Sequence, residues 1–429
     1  MAKRLGIIIV SAIIFQNPAI LSGQTRIEIS GRYAPQMNFA LPLFENRGAE
    51  GERLAPELTN VLLGDLFLSG FFIPLENKKF IAEAEAADLR TGKINLAEWA
   101  SLGAEILVKG SYFVSGGRIS IECRAIIVSE GNQFYGKKYS GDLNRRREII
   151  HTIADEIVFA LTGEKGLART KIAFVSARGG EKKVHIMDAS GGDWRRINSG
   201  PGFALNPDWS PDGKALVYTS YSSGLPWVFW DNLSGKRRRV ISSRPGLNAF
   251  PAVSPDGRWV ALTLSRDGNN EIYKMRPDGT DLRRLTRSRG NDCSPAWSPD
   301  GQRIAFTSDR RGSPQIYVMD AEGKNLLRLT RGSYNSSPAW SPRGNLIAYS
   351  SLIGGNFEIC VIDPTSGEVT RLTRNRFDDE DPSWAPDGRH LVYTSRQGGR
   401  SNLFVLDILI REPLQITTAS ECFSPAWGP

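Results

Sequence analysis

One heptapeptide constrains this chain more than any other feature: Pro295-Ala296-Trp297-Ser298-Pro299-Asp300-Gly301. It recurs around Trp209, Val253, Trp340 and Trp384, and a sixth copy, Pro425-Ala426-Trp427-Gly428-Pro429, runs to the last residue. The spacings between neighbouring Trp sites are 44, 44, 43, 44 and 43 residues. A period so regular marks a repeat architecture, and its length suits one four-stranded propeller blade.

The chemistry inside the repeat supports that reading. Ser-Pro-Asp-Gly is a β-turn sequence, in which Pro presets φ at the second position and Gly tolerates the exit. A short β-run follows, such as Arg303-Ile304-Ala305-Phe306-Thr307-Ser308, then a polar turn and a second run, Gln315-Ile316-Tyr317-Val318-Met319-Asp320. Leu327-Arg328-Leu329-Thr330 is the outermost strand and Pro-Ala-Trp the first. The Pro two residues before each Trp site belongs at a strand start, where a missing N–H costs least. The Trp residues themselves are expected between blades.

The repeat begins in mid-unit. Lys171-Ile172-Ala173-Phe174-Val175-Ser176 matches the second strand, Val184-His185-Ile186-Met187-Asp188 the third and Arg195-Arg196-Ile197 the fourth. The chain finishes on a lone first strand, Ser424-Pro425-Ala426-Trp427. The two fragments make one blade, so the expected ring of six closes through the C-terminal strand and leaves no open edge.

Ahead of the repeats the pattern is mixed α/β. Residues 1–23 read as an export signal: Lys3 and Arg4, an apolar run over 5–14, and the small pair Ser22-Gly23. Residues 24–167 read as an N-terminal domain with a flexible leading segment, and 168–429 as the propeller. Strands are expected at 38–44, 71–75, 106–115, 118–129 and 133–140, with Gly116-Gly117 as a hairpin turn. Helices are expected at 56–68, 96–102 and 144–162, the last capped by Gly163. The fold class is therefore an α/β N-terminal domain followed by an all-β six-bladed propeller.

Four cysteines (Cys123, Cys293, Cys360, Cys422) lack Cys-x-x-Cys spacing, and Cys293 and Cys422 fall on opposite sides of the ring, so all four are expected to be free thiols. The three histidines are scattered, and neither a zinc site nor a catalytic triad is visible. The acidic run Asp378-Asp379-Glu380-Asp381 is read as solvated rather than as a calcium site. No cofactor is expected. The net charge of +8 is spread over strands and turns such as Arg237-Arg238-Arg239, without the aromatic-interleaved basic stripe that nucleic acid needs.

In a propeller, the connection from each outer strand to the next inner strand crosses one face toward the axis. Those connections place Asn206, Asn248, Ala249, Phe250, Asn291, Asp292, Cys293, Asn335, Ser336, Asp379, Glu380 and Glu421 at the channel mouth, as a partner-docking ring. Phe250 is the one large aromatic among them and the expected anchor. A second candidate is Arg26-Ile27-Glu28-Ile29-Ser30, an alternating strand pattern too short to hold itself in place but able to add to a partner's sheet edge.

The order of parts resembles the TolB family, the periplasmic propeller proteins of the Gram-negative Tol-Pal envelope system. The resemblance rests on the signal, Arg26-Ile27-Glu28-Ile29, the small α/β domain, the Trp-Ser-Pro-Asp-Gly repeats and the final Pro-Ala-Trp. It implies a non-enzymatic binding protein of the periplasm, monomeric by itself. The propeller would bind the peptidoglycan-associated lipoprotein Pal, and through it associate peripherally with the outer membrane. The N-terminal segment would bind the inner-membrane protein TolA. The implied role is in outer-membrane integrity and invagination at division. The alternative, a secreted propeller hydrolase or peptidase-associated propeller, finds no Gly-x-Ser-x-Gly elbow here.

Overall fold

The computed structural model describes residues 36–76, 81–85, 93–198, 200–235, 238–418 and 421–429. The expected signal and the segment Arg26 to Ser30 lie outside these residues.

The N-terminal unit is one sheet covered by helices. Its strands are β1 (Met37–Ala40), β2 (Glu45–Asn46), β3 (Phe72–Pro74), β4 (Ile106–Ser115), β5 (Arg118–Ile127) and β6 (Asn132–Asp142), in the order β3-β1-β4-β5-β6 with β2 also on β4. The expected 38–44 strand is split, because Pro42 has no N–H to give a ladder. Gly116 and Gly117 both take positive φ (57° and 76°), which is the geometry a two-residue hairpin needs. Helices α1 (Leu54–Leu68) and α3 (Arg146–Thr162) bury Leu58, Leu62, Leu66, Ile150, Ile153 and Ile157 with Val108 and Ile121 of the sheet. The short α2 (Leu96–Ser101) seats Trp99 in a second cluster. Gly163 ends α3 at φ 74°, its N–H bonded to the carbonyl of Phe159.

Six four-stranded antiparallel sheets follow. In the first complete one, Ala204–Trp209, Ala215–Ser220, Trp227–Asn232 and Arg238–Ser242 run from axis to rim. The sixth sheet is the expected composite. The C-terminal strand Cys422–Trp427 pairs with β7 (Lys171–Ser176), with Trp427 opposite Ile172, and β8 (Lys183–Asp188) and β9 (Arg195–Arg196) complete it.

The repeat residues explain how blades turn and stack. In Ser210-Pro211-Asp212-Gly213, the Gly213 N–H closes the turn onto the Ser210 carbonyl, and the Ser210 hydroxyl accepts from the Ala215 N–H and donates to Asp212. The Trp residues are buried between blades. Three indole N–H groups also reach back one blade, Trp209 to the carbonyl of Ala426 (2.9 Å), Trp297 to Ala252 (3.0 Å) and Trp384 to Ala339 (3.0 Å), whereas Trp340 donates to the Gly344 carbonyl and Trp427 to the Thr170 hydroxyl. A buried indole N–H needs a partner, and in the first three that partner also fixes blade-to-blade height.

The two ends of the propeller differ. One carries the Ser-Pro-Asp-Gly turns; the other carries the inter-blade connections. The N-terminal unit packs on the turn end. Leu68 and Leu167 enter the cluster containing Phe174, Met187, Val405 and Trp427. Arg389 lies over the Phe71 ring, 4.7 Å from its centroid, and pairs with Asp407 at 2.5 Å. At the centre of the contact His151 of α3 is buried between two carboxylates: Nδ1 is 2.6 Å from Asp65 of α1 and Nε2 is 3.0 Å from Asp188 of β8. Ser190 donates to Asp65, while Arg147 and Lys171 also bind Asp188.

Candidate docking site at the propeller channel

The innermost strands do not alternate regularly. Each one shifts register at the same place, for example between Leu205 and Asp208 and between Cys293 and Ala296. At that bulge the residue just before the repeat proline takes a left-handed φ: Asn206 51°, Phe250 50°, Ser294 54°, Ser337 52°, Asp381 54° and Ser424 49°. Such a conformation costs a non-glycine residue about 1 kcal/mol or more, and it persists where the surrounding ladder over-determines it. The bulge explains the proline, since a bulged position needs no ladder N–H.

These six residues form a ring lining the channel. A cavity of about 430 Å³ runs from the ring to the turn prolines Pro211, Pro255, Pro342 and Pro386. Asp208 and Asp381 are the charged residues of its wall. Burial pushes the Asp208 carboxyl up to about 6, although it accepts the Val253 N–H at 2.8 Å. Burial also raises Asp381, which accepts from Ser337 (2.8 Å) and Ser424 (3.3 Å) on the flanking blades. Glu380, one residue nearer the mouth, is pushed up to about 7 by burial and by the neighbouring Asp381 and Asp378. Among the described residues no group of three metal-ligating side chains converges.

The expected docking ring is therefore only partly assembled. Asn206 and Phe250 line the channel. Asn291 and Glu421 are exposed in the connections, and Cys293, Ser336 and Glu380 are half-buried at the mouth. Asn248, Ala249, Asp292, Asn335 and Asp379 are buried in the blades, which corrects their placement at the docking surface. Four of these brace the connections from inside. Asn248 bonds to Ser242, Arg244 and Gly246, and Asp292 pairs with Arg310 at 2.7 Å. Asn335 donates to Gln315, and Asp379 accepts from Asn375.

Sequence reasoning missed Ser294, Ser337, Asp381 and Ser424, because it took the residues before each Pro-x-Trp as connection rather than as the start of the bulged inner strand. The usable signal was the constant proline: the residue before it faces the axis in every blade. It also missed the aromatic residues of the mouth. Phe203 is 47% and Tyr334 37% exposed there. Lys182 lies over the rings of both Phe203 (6.0 Å) and Phe423 (5.4 Å), and Tyr334 meets Phe357 edge-on. The four cysteines are free, as expected, and three are buried.

Comparison with known proteins bears on this architecture. The family model described as the TolB beta propeller domain matches residues 158–429, and that of the TolB amino-terminal domain matches residues 25–134. The Tol-Pal system protein TolB of Geobacter sulfurreducens is 38% identical over 206 residues, 48% of this chain and 47% of its own. That of Desulfosudis oleivorans is 35% identical over 233 residues, 54% of this chain and 53% of its own. The chain thus spans about half the length of the curated relatives it matches. The crystal structure of TolB from Acinetobacter baumannii superposes with a TM-score of 0.77 at 29% identity, covering 92% of this chain and 98% of that one.

Proposed function

Because this chain belongs to the TolB family, whose propeller model matches residues 158–429, we propose that it is a periplasmic, non-enzymatic component of the Tol-Pal system. In this reading residues 1–23 direct export, 24–167 are the N-terminal domain and 168–429 the propeller. The propeller binds Pal at its mouth, and Arg26 to Ser30 engage TolA. Its role is to support outer-membrane integrity and invagination at division.

The observation that carries the docking reading is the ring of pre-proline residues at the end of the channel away from the N-terminal unit. The recess admits a loop from a folded partner, which then touches several blades at once. Phe250 is the large apolar side chain of that ring, and an interface draws most of its energy from such central anchors. Phe250→Ala is expected to weaken binding of the Pal periplasmic domain by about 1 kcal/mol or more, roughly fivefold or more. The melting temperature is expected to stay the same. Equal affinity for the two proteins in calorimetry refutes Phe250 as the anchor, and no Pal binding by the unmodified chain refutes the reading itself.

A further inference from the structure

Read along the sequence, the positive charge of this chain is diffuse; the fold leaves it with few opposing acids at one end. The Ser-Pro-Asp-Gly turns put the exposed Asp212, Asp256 and Asp300 on the end that meets the N-terminal unit. The opposite end carries Arg287 and Arg289 in the connection after the second complete blade, Arg331 after the third, and Arg374 and Arg376 after the fourth. Arg311 joins them from the hairpin beside Arg331. All six are exposed, and none forms an ion pair among the described residues. Exposed acids in the loops of this end are few: Glu181, Asp267 and Glu421.

Exposed Arg266, Arg396, Arg400 and Lys182, in the hairpins of the second and fifth complete blades and of the composite blade, extend the charge into an arc over five blades, open only at the first complete blade. Tyr221-Ser222-Ser223-Gly224-Leu225-Pro226, the corresponding hairpin of the first complete blade, carries no charge. Inside the arc lies a cleft of about 640 Å³ between two blades, with Arg331, Arg371 and Arg374 in its wall beside Asn335 and Ser351. Arg371 is neutralised by the buried Glu358 at 2.6 Å, so Arg331 and Arg374 supply its free charge.

Resting on the docking reading above, we propose that this arc captures an acidic, Asp/Glu-rich segment of the folded protein that docks at the channel mouth. The arc steers that protein's approach and fixes its rotation about the channel axis. Guanidinium forks match carboxylates in geometry as well as charge. The arc surrounds a recess that admits a protein loop and is open at the first complete blade, so a rigid protein seated in the recess meets an asymmetric field that orients it. Unpaired exposed charges of this kind act mainly on the association rate and are screened by salt.

The test compares the full mature chain, the R331E/R374E variant and a control, R258E, whose charge sits 75% exposed on the opposite end. The probe is the purified Pal periplasmic domain of the same organism, mixed by stopped flow at about 50 mM and about 300 mM salt. The expected result is an association rate about tenfold lower for the double variant at low salt, with little remaining salt dependence. Dissociation should change less than about twofold, and R258E should match the parent. A double variant that associates as fast as the parent overturns the proposal. So does loss of binding to phosphatidylglycerol vesicles in the variant with Pal association intact, which would assign the arc to lipid. If the parent itself does not bind Pal, the docking reading fails separately. Salt-sensitive retention of polyglutamate by the parent and not by the double variant then sustains the arc's preference for acidic polypeptide, and equal retention overturns it.

Discussion

His151→Gln tests how the two parts of the molecule are joined. The imidazole is buried, 2.6 Å from Asp65 and 3.0 Å from Asp188, with Ser190, Arg147 and Lys171 completing the surroundings. Burial alone would lower its pKa, but the hydrogen bonds and charges of Asp188 and Asp65 outweigh that and lift it from 6.5 to about 9. Burial raises Asp65, whereas Asp188, despite its own burial, is held below the usual carboxylate range by His151 and Lys171. The folded state therefore binds the His151 proton more tightly than the unfolded chain does. Its contribution is fully present below pH 6.5 and is lost as pH rises through about 9. At about 1.4 kcal/mol per pH unit, the protonated bridge contributes about 3 kcal/mol. The stability gap between parent and variant should thus shrink by about 3 kcal/mol between pH 6 and pH 10. Urea unfolding at several pH values measures the gap. Other buried groups, such as the Cys123 thiol pushed up to about 12, titrate in both proteins and cancel in the difference. A gap that stays constant across this range refutes the charged bridge and leaves His151 as a packing residue.

Two further outcomes follow from the fold. Deleting residues 420–429 removes the strand that pairs with β7 and the Ala426 carbonyl that receives the Trp209 indole; it should lower the melting temperature sharply and cause aggregation through the exposed edges. Cooperative melting at the parent temperature would reject closure by this strand. Gly70 sits at φ 75°, and a Cβ there would lie 2.6 Å from Asp407 Oδ2 and 2.9 Å from Arg389. Gly70→Ala should cost about 1–2 kcal/mol and speed proteolytic cutting between residues 163 and 170; an unchanged cutting rate would show that the contact yields without cost.

The repeat made the architecture legible before any coordinate. A side-chain period of two within a 44-residue spacing leaves few ways to bury Trp297 and its counterparts, and the split unit at Lys171 and Trp427 dictates closure. The helices α1 and α3 were likewise visible in the spacing of Leu58, Leu62, Ile150 and Ile157, as was the Gly163 stop. These features are local, fixed by backbone chemistry and by periodic burial of apolar side chains.

The docking site was less legible, because a one-residue bulge rotates everything on one side of it. Reading the residues before each Pro-x-Trp as connection put Asn335 and Asp379 at the mouth, whereas they brace the connections from within; Ser337 and Asp381, two residues on, hold the channel. His151 looked like one of three scattered histidines, and its partners, Asp65 and Asp188, lie far from it in the chain. The charge arc has the same character: Arg289, Arg331 and Arg374 are separated by whole blades, and only the stacking of neighbouring blades sets them side by side. The sequence by itself determined the elements, their number and their order, since these depend on near neighbours and on period. Tertiary structure decided which polar groups meet, because electrostatics and hydrogen bonding act through distance in space, which blade stacking and domain packing alone establish.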